Sequence, residues 1–277
     1  MQYKPKIKAP NPELIKNIQK ILNNNALTTV CEAAACPNRA ECYARNSATF
    51  MILGDVCTRA CSFCNVKTGH GKTIDKQEPQ HLAQAIKELA LKYVVITSVD
   101  RDDLKDYGAG HFYACVRAIK EVNPSLKIEL LTPDFKYNSS SLDTIIKSDV
   151  YKLAHNQETV RRLSKRVRPQ SDYDRSLKVL EYYAKNAKAV IKSSLMVGLG
   201  ENVNELRESM QELRDVGVSE LTFGQYLQPS SSHHKVEKYY TESFFDDIKE
   251  EAHAMGFSAV ASGILVRSSY FAEEFGA

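Results

Sequence analysis

The sequence predicts a parallel α/β fold, a partial (β/α)6 barrel of the TIM type with extensions at both chain ends. Short apolar runs such as residues 93–97 (YVVIT) alternate with longer stretches in which apolar residues recur at helical spacing, as at Leu82, Ala85 and Ile86. Strands that alternate with helices of roughly 10 to 15 residues are typical of βαβ units, whose strands run parallel. On such a barrel, functional residues are expected at the carboxyl ends of the strands.

Each element follows from its own apolar pattern. Short segments rich in apolar residues predict six strands, at residues 49–53, 93–97, 127–131, 150–153, 189–197 and 221–223, and a possible seventh at 257–261. Apolar stripes predict helices near residues 12–22, 82–89, 112–119, 139–147, 172–187, 206–213 and 244–252. The chain is thus divided into an N-terminal extension (1–48), the barrel (49–263) and a C-terminal tail (264–277).

Composition and charge argue against several classes of partner. With 277 residues, of which 43% are hydrophobic, the chain can bury a sizeable core. Its 37 basic and 34 acidic residues leave a net charge of +3, without the basic excess typical of nucleic-acid binding. No segment resembles a secretory signal or a membrane span, so we expect a cytoplasmic protein with no nucleic-acid and no membrane partner. Seven cysteines in such a chain favour metal binding or catalysis over disulfides.

The strongest chemical signal is the downstream triad of Cys57, Cys61 and Cys64, spaced C-x3-C-x2-C after a predicted strand and a turn at Gly54. Three thiolates on one loop, with no fourth cysteine nearby, leave a coordination position open. A structural zinc site is closed by four ligands, whereas a 4Fe-4S cluster bound by three cysteines keeps one iron free. Zinc binding, or cysteines without any ligand role, are the alternatives.

The spacing of the downstream triad resembles that of the radical SAM superfamily, whose cluster binds S-adenosylmethionine (SAM). The amino and carboxylate groups of SAM would chelate the free iron, and an electron from the cluster would cleave the sulfonium. The resulting 5′-deoxyadenosyl radical abstracts hydrogen from unactivated carbon. The resemblance therefore implies radical chemistry on a substrate that ordinary nucleophiles cannot attack.

An upstream triad lies at Cys31, Cys36 and Cys42, spaced C-x4-C-x5-C. A free cysteine is often only a small buried hydrophobe, but three so close together, with Pro37 forcing a turn, exceed ordinary usage. Because this triad also lacks a fourth thiolate, the sequence predicts two clusters, each completed by another ligand. Cys115, the seventh cysteine, falls on the apolar stripe of a predicted helix and is expected in the core.

Candidate SAM contacts are one aromatic residue of the cysteine loop and six polar residues that follow predicted strands. They are Phe63, Thr97, Ser98, Asp100, Asn156, Glu158 and Arg168. The three that follow the second strand could hold the methionyl amino group, or they could form a helix cap with solvated charges. Of the three after the fourth strand, Asn156 and Glu158 could bond a ribose, and Arg168 could bind a carboxylate through its bidentate fork.

Three further features have both a functional and a structural interpretation. Gly198 and Gly200 would let the backbone approach a ligand closely, although no Gly-Lys-Ser/Thr follows as in a phosphate loop. His233 and His234 could be metal ligands, but adjacent histidines on a polar loop more often point apart. His155 is expected to form a structural hydrogen bond.

Together these residues resemble the lipoyl synthase family over nearly the whole chain. The resemblance rests on both triads and on the segments 49–54 (TFMILG), 93–104 (YVVITSVDRDDL), 195–201 (LMVGLGE), 224–230 (GQYLQPS) and 267–270 (RSSY). It implies the insertion of two sulfur atoms, at C6 and C8 of an octanoyl chain amide-linked to a lysine, with two SAM molecules consumed per product. Ala154 departs from the family, in which asparagine or a similar residue is common.

The resemblance also implies ligands and partners. The downstream triad would hold the SAM-binding 4Fe-4S cluster, and the upstream triad with Ser269 would hold an auxiliary 4Fe-4S cluster that is itself the sulfur source. The residues alone do not separate Ser269 from Ser268. The octanoyl group would arrive on a lipoyl carrier domain, of a 2-oxoacid dehydrogenase E2 or a glycine cleavage H protein, and an electron donor would be required.

Two other classes of function fit part of this pattern. Another radical SAM sulfur-inserting enzyme could act on a free small molecule or on RNA, but it would not need the upstream triad together with a serine tail. A non-catalytic iron–sulfur carrier or a zinc-binding interaction module would not need SAM. Cleavage of SAM under reducing conditions separates an enzyme from a carrier, and metal analysis separates iron from zinc.

Overall fold

A computed structural model describes residues 12–44, 48–270 and 272. The helices are α1 (Pro12–Asn24), α2 (Val30–Ala33), α3 (Arg39–Ala44), α4 (Glu78–Glu88), α5 (Ala109–Val122), α6 (Ser139–Ile146), α7 (Arg161–Val167), α8 (Tyr173–Asn186), α9 (Val203–Asp215) and α10 (Glu242–Ala254), with a 3₁₀ turn at Phe135–Tyr137. The strands are β1 (Thr28–Thr29), β2 (Thr49–Ile52), β3 (Val56–Cys57), β4 (Lys67–Thr68), β5 (Tyr93–Ser98), β6 (Lys127–Leu131), β7 (Lys152–Ala154), β8 (Val190–Val197), β9 (Glu220–Gln225) and β10 (Ala259–Gly263). Within the described ranges, no helix combines the length and the apolar character needed to cross a membrane.

The described residues divide into two compact units. The first unit contains residues up to 59 together with 66–152, and the second contains residues 60–65 together with those from 153 onward. This division by contacts does not test the functional regions predicted at 1–48, 49–263 and 264–277, which stay a prediction.

Strands of the first unit pair in parallel, as the alternation of strands and helices predicts. β2 pairs with β5, and β5 pairs with β6, so that Phe50 lies opposite Ile96 and Ile96 lies opposite Leu130. All residues of β2 are buried, which explains its continuous apolar pattern, because strands covered on both faces need apolar side chains throughout. β1 adds an antiparallel edge to β2, and β3 pairs with β4 in a separate two-stranded sheet.

Apolar stripes bury one face of each helix that packs in the first unit. In α4 the buried residues include Leu82, Ala85 and Ile86, which are those of the predicted stripe. In α5 the buried residues include Phe112 and Cys115. Cys115 is fully buried, which confirms that the seventh cysteine belongs to the core.

The second unit repeats the parallel pattern with β8, β9 and β10. Leu195 lies opposite Phe223, and Phe223 lies opposite Ser262. Helix α9 begins with a capping box in which Oδ1 of Asn202 accepts the N–H of Glu205 at 3.0 Å. Oε2 of Glu205 accepts the N–H of Asn202 at 2.9 Å, so two N–H groups that the helix itself cannot pair are satisfied.

All six predicted strands are present, with ends shifted by up to a few residues, and the possible seventh strand is confirmed as β10. The strand predicted at 150–153, for example, is the shorter β7. The sequence does not predict α2, α3, α7, β1, β3 or β4. These elements contain only 2 to 7 residues each, too few for a periodic pattern to stand out.

Candidate active site and cluster ligands

Cys57, the first residue of the downstream triad, ends strand β3. Strand β4 holds this position, because Cys57 pairs with Thr68 and its carbonyl oxygen accepts the N–H of Gly69 at 2.9 Å. The sulfur of Cys57 accepts the backbone N–H groups of Arg59 and Asp100, each at 3.4 Å. Hydrogen bonds to the sulfurs tune iron–sulfur clusters, so this environment suits a cluster ligand.

The loop after β5 is hydrogen-bonded to the residue that follows Cys57. The N–H and the hydroxyl of Thr58 both donate to the carbonyl oxygen of Asp100, at 3.0 and 2.9 Å. The same hydroxyl accepts the N–H of Asp102 at 3.0 Å. The start of the cysteine loop and the carboxyl end of β5 therefore form one hydrogen-bonded structure, at the end of a strand where the barrel fold is expected to carry function.

Arg59, between the first two cysteines of the triad, binds three carboxylates. Its Nε and Nη2 donate to the two oxygens of Asp102, at 2.9 and 2.8 Å. Nη2 also donates to Oδ1 of Asp134 at 2.6 Å, and Nη1 lies 3.3 Å from Oδ1 of Asp100. The Arg59 side chain is only 2% exposed. No local spacing predicts this group of one arginine and three carboxylates. The signals in the sequence are an arginine inside a cysteine triad and acidic residues after two neighbouring strands.

The charges of Arg59 and its carboxylate partners stabilise one another. Burial alone would lower the pKa of Arg59, but the hydrogen bond to Asp102 and the charges of Asp100 and Asp134 outweigh it and raise that pKa. Burial alone would raise the pKa of Asp102, but Arg59 and Lys136 outweigh it, so the pKa lies below its usual range. Asp102 and Arg59 therefore both stay ionised near neutral pH.

Asp134 reaches Arg59 from an unusual turn after β6. Phe135, Lys136 and Tyr137 have φ values of 43°, 50° and 58°, in the left-handed region that residues other than glycine rarely adopt. Oδ1 of Asp134 accepts the N–H of Lys136 at 3.0 Å. Phe135 is fully buried and packs edge-to-face on Phe112, with 6.1 Å between the ring centroids. These contacts hold the turn in its strained conformation.

Residues 60–65, which carry Cys61 and Cys64, are anchored inside the second unit. The N–H of Ala60 donates to Oε1 of Gln170 at 2.8 Å. The N–H of Ser62 donates to the carbonyl oxygen of Val167 at 2.8 Å, and the N–H of Cys64 donates to that of Cys61 at 3.0 Å. The loop that carries Cys61 and Cys64 is therefore held in place by its backbone.

The adjacent histidines contact different partners, as the structural interpretation expects. Nε2 of His233 lies 3.2 Å from the carbonyl oxygen of Cys64. The N–H of His234 donates to the carbonyl oxygen of Ser62 at 2.8 Å, and its Nε2 lies 3.0 Å from that of Leu199. Both histidines brace the backbone, so the pair is not arranged as two ligands of one ion.

Three predicted SAM contacts, Asn156, Glu158 and Arg168, come together in the second unit. The side-chain amide of Asn156 donates to Oε1 of Glu158 at 3.1 Å. Nη1 of Arg168 donates to the carbonyl oxygen of Gln157 at 3.0 Å. Burial raises the pKa of Glu158, and the charge of Arg168 offsets part of that rise. Arg168 thus shapes the loop that carries the other two residues, and its predicted binding of a ligand carboxylate stays a prediction.

Two of the candidate SAM contacts carry a buried polar atom with no hydrogen-bond partner among the described residues. They are Oγ of Ser98, in the first unit, and Oδ1 of Asn156, in the second. Buried polar atoms are normally hydrogen-bonded, so each of these atoms suits a polar ligand such as SAM. Thr97, by contrast, donates its hydroxyl to the carbonyl oxygen of Leu131 at 2.9 Å, and Phe63 is partly exposed.

In the glycine segment after β8, Gly198 packs against the protein itself, while Gly200 is exposed and the approach of a ligand to it stays a prediction. The N–H groups of Gly198 and Leu199 donate to the carboxylate of Glu201, at 2.6 and 2.9 Å. A Cβ on Gly198 would lie 2.2 Å from Nε2 of Gln225 and 2.5 Å from the carbonyl oxygen of Lys238. The close approach that glycine permits here is made by the protein itself. His155, as expected, makes a structural contact, with Nε2 3.0 Å from Oγ of Ser176.

The upstream triad lies on short helices and turns in the first unit. Cys31 is buried in α2, and the N–H of Cys36 donates to its carbonyl oxygen at 3.1 Å. Burial raises the pKa of Cys31 to about 11, and the nearby Cys36 adds to the rise. The N–H of Cys42 donates to the carbonyl oxygen of Asn38 at 2.9 Å. A thiolate at Cys31 therefore needs a compensating positive charge, which a metal centre would supply.

Thiolates are soft ligands that suit both zinc and iron–sulfur clusters. Within the described part of the chain, no three His, Cys, Asp or Glu side chains are close enough to hold one ion. A structural zinc needs four ligands on the same ion, whereas the thiolates of a 4Fe-4S cluster bind different irons and are soft ligands that suit it. All seven cysteines are thiols in the structure.

The tail with Ser269 turns at the carboxyl end of β9. The N–H of Tyr270 donates to the carbonyl oxygen of Arg267 at 3.0 Å. The carbonyl oxygen of Val266 lies so close to Gly224 that a Cβ there would be 2.1 Å away. Gly224, like Gly198, is explained by close packing within the protein, because the absence of a side chain lets the tail cross the carboxyl end of β9. The structure does not separate Ser269 from Ser268 as a ligand.

Residues 51–213 match the model of the radical SAM superfamily. The match covers more than half of the chain and includes the downstream triad. Enzymes of this superfamily use SAM and a 4Fe-4S cluster.

Solved structures share the fold at low sequence identity. A methylornithine synthase matches with a TM-score of 0.54 and 14% identity, over 82% of this chain and 70% of that protein. Coproporphyrinogen III oxidase from Escherichia coli, a radical SAM enzyme, matches with a TM-score of 0.51 and 13% identity, over 74% of this chain and 52% of that protein. These likenesses confirm the predicted fold class, a partial barrel of parallel strands.

Curated relatives match over nearly the full length of the chain. The lipoyl synthase of Deinococcus radiodurans is 50% identical over 274 residues, which are 97% of this chain and 82% of the relative. The lipoyl synthase of Myxococcus xanthus is 47% identical over 272 residues, which are 98% of this chain and 91% of the relative. The chain therefore belongs to the lipoyl synthase family, radical SAM enzymes that insert sulfur.

Proposed function

We propose that this chain makes the lipoyl group on a carrier protein, by inserting two sulfur atoms at C6 and C8 of an octanoyl chain amide-linked to a lysine. The observation that carries the proposal is the 50% identity to a lipoyl synthase across 97% of the chain. Both cysteine triads and the RSSY tail are present in the sequence. Because the octanoyl carbons are unactivated, a radical must remove hydrogen before sulfur can be added.

In this proposal Cys57, Cys61 and Cys64 hold the cluster that binds SAM. When bound, this cluster supplies the electron that cleaves SAM to a 5′-deoxyadenosyl radical. The chain's own residues keep the ligands in place. Two backbone N–H groups donate to the sulfur of Cys57, and hydrogen bonds from Ala60 and Ser62 anchor the other part of the loop.

SAM itself is proposed to contact the residues that the sequence analysis named. Those in the first unit and the cysteine loop are Phe63, Thr97, Ser98 and Asp100, and those in the second unit are Asn156, Glu158 and Arg168. The unbonded buried atoms of Ser98 and Asn156 support this assignment, since a polar ligand would satisfy them. Asp100 already pairs with Arg59, so its contact with SAM would be shared with that arginine. The role of these residues is to orient SAM and to exclude water that would quench a radical.

Cys31, Cys36, Cys42 and Ser269 are the proposed ligands of the auxiliary 4Fe-4S cluster, which would supply the sulfur atoms. The three thiols support the assignment as soft ligands suited to iron. Ser269 rests on the family resemblance, as a ligand that completes a triad with no fourth cysteine. Two SAM molecules would be used for each product, one for each carbon that loses hydrogen.

The proposed partners follow from the substrate. They are the octanoylated lipoyl domains of a 2-oxoacid dehydrogenase E2 or of a glycine cleavage H protein, together with an electron donor. A reducing compartment keeps such thiols available for clusters, so the cytoplasm is the proposed location.

The test is an anaerobic assay of the full chain with both clusters reconstituted. An octanoylated lipoyl-domain peptide is incubated with SAM and a reductant, and the peptide is analysed by mass spectrometry. We expect a product that has gained two sulfur atoms, together with 5′-deoxyadenosine. Release of 5′-deoxyadenosine with no sulfur in the peptide would contradict the proposed function.

A further inference from the structure

Arg59 has a role in the active site that the spacing of the triad does not reveal. We propose that Arg59 is the positioning residue of the downstream triad. By binding carboxylates at the carboxyl ends of β5 and β6, it holds the Cys57 end of the loop in the shape that binds a cluster. This inference rests on the proposed function only for the identity of the cluster.

The first argument is the geometry of the guanidinium. Nε and Nη2 donate to the two oxygens of Asp102, and Nη2 also donates to Asp134. Nη1 faces a carboxylate oxygen of Asp100. A planar fork with several fixed N–H donors can satisfy this arrangement, whereas the single ammonium of a lysine cannot. Because the Arg59 side chain is only 2% exposed, water cannot replace a missing partner.

The second argument is the link from Arg59 to the ligand atom. The sulfur of Cys57 accepts two backbone N–H groups, and these belong to Arg59 itself and to Asp100, one of its carboxylate partners. A displacement of the Arg59 side chain would therefore move both donors relative to the sulfur. In this proposal Arg59 acts on the cluster through Cys57, whose sulfur accepts these two N–H groups.

The third argument is the strained turn that presents Asp134. Three successive residues, Phe135 to Tyr137, lie in the left-handed region. Strain of this kind persists only where the surroundings over-determine it, and it concentrates at functional sites. The result of the strain is that Oδ1 of Asp134 accepts both the N–H of Lys136 and the guanidinium of Arg59.

A nearby ion pair provides a matched control. Arg101 binds Asp103 through its fork, with Nε and Nη2 each 2.8 Å from a carboxylate oxygen. The same loop after β5 carries this pair, but Nη1 of Arg101 donates to the carbonyl oxygen of Leu53 and not to the cysteine loop. Asp103→Asn therefore weakens a similar pair without disturbing the contacts of Arg59.

The test compares Arg59→Lys, Asp134→Asn and Asp103→Asn in the full chain with both clusters reconstituted. The rate of iron loss to a chelator and the reduction potential are measured, and the cluster whose spectrum changes when SAM is added is the downstream one. In Arg59→Lys and Asp134→Asn we expect iron loss from that cluster to be about 10- to 100-fold faster, as is usual when the support of a metal ligand is removed. Arg59→Lys keeps the charge but loses the fork, so weaker N–H···S bonds should shift the potential to more negative values. Asp103→Asn should match the parent in both measurements.

Two results would overturn the inference. One is that Arg59→Lys and Asp134→Asn keep the parent's iron-loss rate and potential. The other is that both clusters lose iron equally, because the carboxylates would then stabilise the fold as a whole. Asp134→Asn is isosteric and leaves two carboxylates on Arg59, so it provides a folded variant even if Arg59→Lys does not fold. Failure of the proposed function looks different, since the parent would bind its clusters normally but form no lipoyl product.

Discussion

Among single residues, Arg59 shows how burial decides how much an ion pair contributes to the stability of the fold. The pair between Lys72 and Asp55 is exposed, and despite its 2.7 Å distance such pairs contribute about 0–1 kcal/mol because water competes for both charges. Arg59 is buried, and removing one partner of a buried pair costs about 3–5 kcal/mol, since it leaves a charge without compensation. Substitutions of Arg59 or its carboxylate partners should therefore destabilise the protein more than changes of surface charge do.

The first residue-level prediction concerns the downstream triad. Changing Cys57, Cys61 and Cys64 together to alanine should abolish 5′-deoxyadenosine production, because the cluster that cleaves SAM loses its thiolates. The iron of the other cluster should stay in place, which iron analysis of the same sample checks. Continued formation of 5′-deoxyadenosine would show that the triad has been assigned the wrong role.

The second residue-level prediction concerns Ser269. A serine oxygen is a harder ligand than a thiolate and matches cluster iron less well, so it would release iron more easily when the cluster gives up sulfur. Ser269→Cys should therefore keep about eight irons per chain, as two 4Fe-4S clusters require, and should keep SAM cleavage, yet stall before the second sulfur. Product analysis by mass spectrometry measures this stall.

Ser268→Cys is the matched control for that variant and should disturb the reaction far less. Full lipoyl product from Ser269→Cys at the parent rate would show that the lability argument is wrong. A defect in Ser268→Cys alone would indicate that the ligand is Ser268 and not Ser269, and the proposed mechanism would still hold.

At the level of elements, the turn after β6 shows how strain is balanced. Left-handed conformations at Phe135, Lys136 and Tyr137 cost about 1–3 kcal/mol each. Complete burial of the Phe135 side chain offsets about 1.5–3 kcal/mol. The two hydrogen bonds that the Asp134 carboxylate accepts each add about 1.5–3 kcal/mol. The terms are of similar size, so the turn depends on its contacts with Arg59 and the core.

The element-level prediction concerns the turn after β8. Gly198 has a φ of 99°, and an added Cβ would lie 2.2 Å from Nε2 of Gln225. Gly198→Ala should therefore combine backbone strain of about 1–3 kcal/mol with a steric clash, and it should lower the thermal midpoint of the protein. The loss should be larger than in Gly200→Ala.

Gly200 is the control because its φ is 108° but the nearest atom to an added Cβ is 3.4 Å away. The difference between the two variants isolates the clash with Gln225 and with the carbonyl oxygen of Lys238, since both variants share the strain of a positive φ. Equal losses in the thermal midpoint would mean that the backbone conformation alone explains both glycines. The atoms around Gly198 would then be able to move aside at little cost.

At the level of the whole molecule, the charge is nearly balanced and lacks the basic excess typical of nucleic-acid binding. The net charge of +3 is spread over 277 residues, and exposed basic side chains of α7 are paired. Arg161 contacts Asp174 and Glu212, and Arg162 contacts Glu205. A phosphate backbone would need unpaired basic residues on one face.

The prediction at this level concerns the form of the substrate. Free octanoate should be inert, while octanoyl-lysine within a lipoyl domain or a peptide derived from it should gain two sulfur atoms. The physical reason is that a substrate presented by a protein brings binding energy from contacts remote from the reacting carbons. Product formation from the two substrates at equal concentration measures the difference, and efficient turnover of free octanoate would refute the prediction.

Much of the fold can be read from the sequence, and a ligand set can be proposed from it, because both depend on short-range patterns. The cysteines of each triad lie within a dozen positions, and each predicted strand is a short segment rich in apolar residues. The short strands β3 and β4 escape prediction, since their two residues become a strand only when they pair with each other.

The contacts that prepare the site come from residues far apart in the chain. Arg59 meets Asp102 across 43 positions and Asp134 across 75, and no local spacing encodes such pairs. Likewise, Gly198 shows in the sequence only that the backbone needs freedom, whereas the fold shows that Gln225 occupies the space beside it. Spacing along the chain is enough to propose the thiol ligands. The charged side chains around Cys57 are determined by packing, because only the folded chain brings buried carboxylates to a buried arginine.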